Sequence, residues 1–156
     1  MRILFVCLGN ICRSPTAHGI FQHYVNEAGL ADRIDIDSAG TGGWHVGAAP
    51  DKRAQEAARQ RGYDLSSLRA RQAVPDDFER FDYVLAMDHQ NLRDLKAIQP
   101  ANADAELGLF LAYGKRFTEQ EVPDPYYGGQ RGFEHVLDLV EDACEGLLEA
   151  VKERHL

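Results

Sequence analysis

Cys7, Arg13 and Asp124 are the residues of this chain whose types and settings best suit chemistry. Cys7 directly follows a short apolar run, residues 3–6, of the kind that forms a fully buried strand. Gly9 and Asn10 come next, and then Arg13, Ser14 and Pro15. Ser14 is expected to cap a helix and Pro15 to occupy its first helical position, with Gly29 as the stop. Cys7 would then sit at the carboxyl end of a strand and face a helix N-terminus, where unpaired N–H groups and the helix dipole attract an anion. A phosphate held by the amides of Leu8, Gly9, Asn10, Ile11, Cys12 and Ser14 would lie above the sulfur. A free thiol titrates near ~8.5, and a helix terminus with an adjacent arginine favours its thiolate. Arg13 can grip two phosphate oxygens with its planar fork, which a lysine cannot. Gly9 permits close backbone approach, and Gly9 or Asn10 can supply a positive φ. The implied chemistry is in-line attack of sulfur on phosphorus. A bare Cys-x5-Arg spacing is common and a lone cysteine in an apolar strand is usually core; the ordered strand, loop, Arg-Ser-Pro and helix favour the nucleophile.

Asp124 lies between Pro123 and Pro125 and is followed by Tyr126 and Tyr127. A turn aspartate alone only forms the turn. Beside a thiolate nucleophile that needs a proton donor, it becomes the candidate general acid. Cys12 has two readings. It packs in the loop as a small apolar residue, or it takes part in redox chemistry with Cys7, since a low-pKa cysteine oxidises readily to the sulfenic acid. A loop curled around one anion can bring the two sulfurs to disulfide spacing, whereas an extended strand cannot.

The elements that must position these groups alternate between strand and helix. After the first helix, residues 33–37 read as a short strand that ends in the glycine-rich turn 37–43. Residues 50–61 read as a half-exposed helix stopped by Gly62, and 64–71 as a polar connection. Residues 74–78 mark a turn and a short helix, and 81–87 a third buried strand. Asp88 ends that strand; it is expected to cap the helix containing Leu92, Leu95 and Ile98 and to pair with Arg13. His89 reads as a solvated first-turn residue. Residues 106–111 supply a fourth apolar run and 114–121 a polar loop. Val136, Leu137, Val140, Cys144, Leu147, Leu148 and Val151 place one apolar face on a helix over about 133–152, with Cys144 in the core. Strands alternating with helices predict a single α/β domain over residues 1–156, a parallel sheet of about four strands covered on both faces. Ligands of such sheets collect beyond the carboxyl ends of the strands, so Cys7, Ser38 and Asp88 should share one edge.

The segment Val-Cys-Leu-Gly-Asn-Ile-Cys-Arg-Ser-Pro resembles the signature loop of the low-molecular-weight protein-tyrosine phosphatases. The similarity continues through 37–41, 81–88, 91–95 and the Val-Pro-Asp-Pro-Tyr-Tyr-Gly segment at 122–128, and so spans essentially the whole chain. It implies a flavodoxin-like sheet with the loop at its switch point, and hydrolysis of aryl phosphate monoesters through a cysteinyl-phosphate. It also implies that Ser38 helps hold Asn10 and that Trp44 lines the substrate cleft. Trp44, Tyr126 and Tyr127 would then form aromatic walls suited to phosphotyrosine. The family shows the same cysteine pair as Cys7 and Cys12. One departure is Leu68, which stands where the family commonly has a histidine bracing the loop asparagine.

Composition narrows the alternatives. At 156 residues with 44% hydrophobic and 27% charged content, the chain has the make-up of an ordinary globular protein. The formal charge of −8 argues against generic nucleic-acid binding. No run of apolar residues is long enough for membrane insertion and no export leader is apparent. Three cysteines do not make a secreted disulfide framework, so a cytoplasmic, reducing setting is expected. No zinc spacing is present, and neither a metal nor another cofactor is expected, because the arginine and amides supply the positive charge. The expected partner is a phosphotyrosine-containing protein. Two rivals share part of this pattern. An arsenate reductase of the same fold would need further relay cysteines, and only Cys144 is left. A non-catalytic phosphate or phosphopeptide binder would need neither nucleophile nor acid.

Overall fold

The computed structural model describes residues 1–125 and 130–155. Its elements run β1 (Arg2–Cys7), α1 (Arg13–Glu27), β2 (Asp35–Gly40), α2 (Lys52–Gln60), α3 (Asp77–Arg80), β3 (Tyr83–Ala86), α4 (His89–Ile98), β4 (Glu106–Leu109), a 3₁₀ turn (Phe110–Tyr113) and α5 (Gln130–His155). The four strands form one parallel sheet in the order β2-β1-β3-β4. In this flavodoxin-like order the chain reverses its direction of growth between β1 and β3, which opens a crevice at their carboxyl ends.

Alternation along β1 assigns its side chains to two cores. Ile3, Phe5 and Cys7 face the larger one, with Phe21 of α1 and Val136, Val140 and Leu147 of α5. Phe5 packs edge-on against Phe21 and Phe110, with ring centroids 5.7 and 5.1 Å apart. Leu4 and Val6 face the smaller core with Phe78, Val84 and Leu95. Burial on both sides explains why the run carries no polar alternation.

Several boundaries differ from those expected. Ser14 does not cap α1: the helix begins at Arg13, Cys12 is its boundary residue, and the Ser14 hydroxyl turns to the Cys7 sulfur instead. Pro15 is therefore the third helical residue and not the first, a position it can hold because first-turn N–H groups have no intrahelical partner. β2 does not end at Asp37 but runs to Gly40, opposite Cys7. Ser38, Ala39 and Gly40 are small enough to lie under the loop after β1, and a Cβ at Gly40 would meet the Leu8 carbonyl oxygen at 2.7 Å. Thr41 N–H donates to the Cys7 carbonyl and Gly42 N–H to that of Leu8, both at 2.9 Å, so β2 carries the loop. β3 is shorter than expected, and the fourth run splits into β4 and the 3₁₀ turn. At the end of α1, Gly29 takes φ +72° while its N–H bonds to Asn26 and that of Leu30 to Val25, a Schellman closure. Gly62 closes α2 with φ +92°.

Candidate active site

Cys7 emerges at the end of β1 with its side chain buried, and two donors are arranged around its sulfur. Asn10 N–H donates to Sγ at 3.3 Å. The Ser14 hydroxyl lies 3.0 Å from the same atom. Asn10 adopts φ +58°, a left-handed conformation that asparagine tolerates, and this turns its amide inward. Its side chain is held from both ends: Arg71 N–H donates to Oδ1 at 3.1 Å, and Nδ2 donates to Ser14 Oγ at 2.7 Å. An N–H facing Oδ1 settles which end of the amide is oxygen. Ser14 Oγ thus accepts from Asn10 and keeps its one proton for the sulfur, 3.0 Å away, or for the Ala39 carbonyl at 3.4 Å.

Arg13 crosses the switch point. Its Nη1 donates to Asp88 Oδ2 at 2.6 Å and to the Val122 carbonyl at 3.1 Å, while Nη2 lies 3.7 Å from Asp124 Oδ2. Burial works against its charge, but Cys7 and Asp88 together hold the guanidinium above its ordinary range. Asp88 also caps α4, accepting from Asn91 N–H at 2.7 Å. The segment carrying Asp124 is tied down just before it, since Val122 N–H donates to the Met87 carbonyl at 2.8 Å. Asp124 is partly exposed, with its side chain 42% accessible.

Cys7, Leu8, Gly9, Ile11, Cys12, Arg13, Trp44, His45 and Asp124 enclose one cleft of about 320 Å³. Asn10 and Ser14 are not on its wall; they lie beneath the loop and face the sulfur. Trp44 is on the open rim, 74% exposed, and its ring covers Gly42, where a Cβ would stand 1.8 Å from it. Tyr126 and Tyr127 lie outside the described residues. Cys12 is buried, and desolvation, reinforced by Asp51, pushes its thiol up to about 12. It therefore stays protonated. All three cysteines are reduced.

Ser38 does not reach Asn10. Its hydroxyl pairs with His18 Nδ1 at 3.0 Å, because Ser38 stands opposite Phe5, two residues below the end of β1. Burial holds His18 below its ordinary pKa, against the pull of Asp37. Leu68 packs partly buried against the larger core, so the asparagine is braced here by the Arg71 backbone. Sequence reasoning missed His45, His18 and Arg71. His45 was legible only as a neighbour of Trp44 in a glycine-rich loop. The Arg71 contact uses a main-chain donor, which no residue type reveals.

A model of the family described as low molecular weight phosphotyrosine protein phosphatase matches residues 2–156. The chain belongs to this family. The low molecular weight protein-tyrosine-phosphatase of Streptomyces coelicolor is 45% identical to it over 156 residues, covering 98% of this chain and 94% of that protein. The low molecular weight phosphotyrosine protein phosphatase of Homo sapiens is 40% identical over 149 residues, covering 94% and 93%. A crystal structure of a protein tyrosine phosphatase from Entamoeba histolytica, with Hepes in its active site, superposes with a TM-score of 0.95 at 39% identity, covering 100% and 99%. Membership makes the protein a phosphotyrosine phosphatase, a hydrolase, and its fold is that of its structural neighbours. Among the described residues, no helix of this low-molecular-weight phosphatase is long and apolar enough to cross a membrane.

Proposed function

We propose that the protein removes phosphate from phosphotyrosine in protein substrates in two steps, with residues 1–156 acting as one cytoplasmic phosphatase domain. The observation that carries the mechanism is the convergence of Cys7, Arg13 and Asp124 on one cleft, with Arg13 bonded to Asp88 on one side and next to Asp124 on the other. In the first step the Cys7 sulfur attacks phosphorus, an S–P bond forms and the aryl P–O bond breaks. Asp124 gives its proton to the departing phenolate. In the second step Asp124, now a carboxylate, takes a proton from water as the water oxygen bonds to phosphorus and the S–P bond breaks. The Ser14 hydroxyl and Asn10 N–H stabilise the sulfur that leaves. Loop amides and Arg13 hold the equatorial oxygens throughout, which is where the charge of phosphoryl transfer is carried. The apolar walls, Leu8, Ile11 and Trp44, suit an aromatic ring above the phosphate.

Arsenate reduction would require a relay cysteine that can reach the loop. Cys144 is fully enclosed on α5, and burial pushes its thiol well above the ordinary value. Assaying p-nitrophenyl phosphate and arsenate side by side, with and without EDTA, tests the proposal. Hydrolysis of the ester that is insensitive to EDTA, without thiol-dependent reduction of arsenate, is expected. Binding of phosphate without turnover would leave a binding module, and loss of activity on chelation would require a metal.

A further inference from the structure

Asn10 is the hinge between the anion loop and the rest of the molecule. Among the described residues, its side chain is held by Ser14 on one side and by the backbone of Arg71 on the other. No histidine stands at position 68 to share that task; Leu68 is there instead and packs on the core. The brace is thus only as firm as residue 71.

That residue is fixed at three points. Its carbonyl accepts from Gly40 N–H at 2.8 Å, next to the point where Gly40 bridges to Gln72 at the end of β2. Its guanidinium grips Asp77 with both terminal nitrogens, Nη1 to Oδ2 and Nη2 to Oδ1, each at 3.1 Å. Its Nε donates to Asp37 Oδ2 at 3.0 Å. Asp77 is 1% exposed and also accepts from Val74 N–H at 2.8 Å, so it cannot swing away with the arginine. A bidentate fork of this kind sets direction as well as distance.

We infer that Arg71 and Asp77 are positioning residues for the reaction, holding Asn10, and through it the Ser14 hydroxyl, against the Cys7 sulfur. The inference rests on the reading of Cys7 as the nucleophile. If residue 71 drifts, the asparagine amide no longer has its oxygen fixed toward Arg71 N–H. Its Nδ2 then ceases to occupy Ser14 Oγ, and the hydroxyl proton turns freely between the sulfur and the Ala39 carbonyl. The sulfur loses a donor where it must depart from phosphorus, while the loop amides and Arg13 still bind the phosphate. The loss should fall on kcat more than on KM.

The test is a double-mutant cycle on p-nitrophenyl phosphate hydrolysis with Asp77→Asn, Arg71→Lys and Ser14→Ala. Arg71→Lys keeps a charge beside Asp77 without the fork, and serves if Asp77→Asn fails to fold. Each single substitution at 71 or 77 should lower kcat about tenfold with KM within about threefold, from the usual size of coupling within one hydrogen-bonded network. In the Ser14→Ala background the same substitutions should change kcat less than about twofold, because the group they act through is already gone. Effects that multiply in full, or no effect in either background, would overturn the inference by showing that residues 71 and 77 do not act through Ser14. Cys7→Ser separates the two levels: turnover surviving in that variant would overturn the nucleophile assignment instead.

Discussion

At the scale of single residues, the proposed mechanism divides the labour between groups that touch the phosphate and groups that hold those groups. Asp124 belongs to the first kind in the proposed mechanism, and its role has a specific signature. Asp124→Asn should slow esters with basic leaving groups by roughly 10²–10⁴-fold, the usual range for general acid catalysis, and acidic ones far less. Rates across a series of substituted phenyl phosphates measure this. A uniform loss would make the aspartate structural. Cys12 gives the second residue-scale prediction. With its thiol near 12, it does not compete with Cys7 as a nucleophile toward phosphorus. Peroxide should oxidise the Cys7 sulfur to the sulfenic acid. The Cys12 thiol then passes its proton to the departing hydroxyl as its sulfur bonds to that of Cys7, so that water leaves and a disulfide closes, which dithiothreitol reopens. Peptide mapping after peroxide should yield a Cys7–Cys12 peptide, formed more slowly when phosphate covers the sulfur. Absence of that peptide, with Cys12→Ser recovering under reduction as fully as wild type, would leave Cys12 a packing residue.

At the scale of elements, α5 does more than cover the sheet. Asp142 accepts from the backbone N–H groups of Lys115, Arg116 and Phe117, at 3.0 to 3.2 Å, and so fixes the start of the loop that leads to Asp124. One turn further on, Gly146 lies against the 3₁₀ turn: a Cβ there would stand 1.8 Å from the Tyr113 carbonyl oxygen. Because backbone rather than a flexible side chain blocks the space, Gly146→Ala should destabilise by about 1–3 kcal/mol, the usual cost of overpacking. A urea midpoint that falls with an unchanged slope would show this, and an unchanged midpoint would contradict it. The apolar face of α5 was legible from its period, since Val136, Leu137, Val140, Cys144, Leu147 and Val151 are all buried. Asp142 was not, because a buried carboxylate amid charged neighbours looks like one more solvated residue. The same holds for the end of β2. Three small residues after Asp37 read as a turn, and only the loop packed on Gly40 explains why they continue the strand. The opening strand, loop and helix were readable because each carries a local signal: a short apolar run, a positive-φ residue and a proline in the first turn.

At the scale of the whole molecule, the buried Asp142 and the half-buried His18 contribute to how stability varies with pH. Burial raises the Asp142 carboxyl, but three backbone donors and Arg116 outweigh it and leave the group below its ordinary value. Its contribution is therefore complete above the unfolded value of about 3.9 and is lost as pH falls through the lower folded value. His18 is held below its ordinary value by burial. The unfolded chain binds that proton first, so stability should decline as pH drops below about 6.5. Urea unfolding should give a lower free energy at pH 5 than at pH 7, a difference that His18→Gln removes; equal values in the wild type would contradict this. These linkages involve neither the nucleophile nor the acid, so the activity profile and the stability profile can be separated. The measurement that bears most directly on the account is acid quenching during turnover of p-nitrophenyl phosphate, followed by mass analysis of the peptides. The account predicts phosphate on the sulfur of the peptide carrying Cys7, and neither label nor turnover in Cys7→Ser. Turnover with no phosphorylated peptide in Cys7→Ser, or phosphate on any other side chain of the wild type, would contradict it.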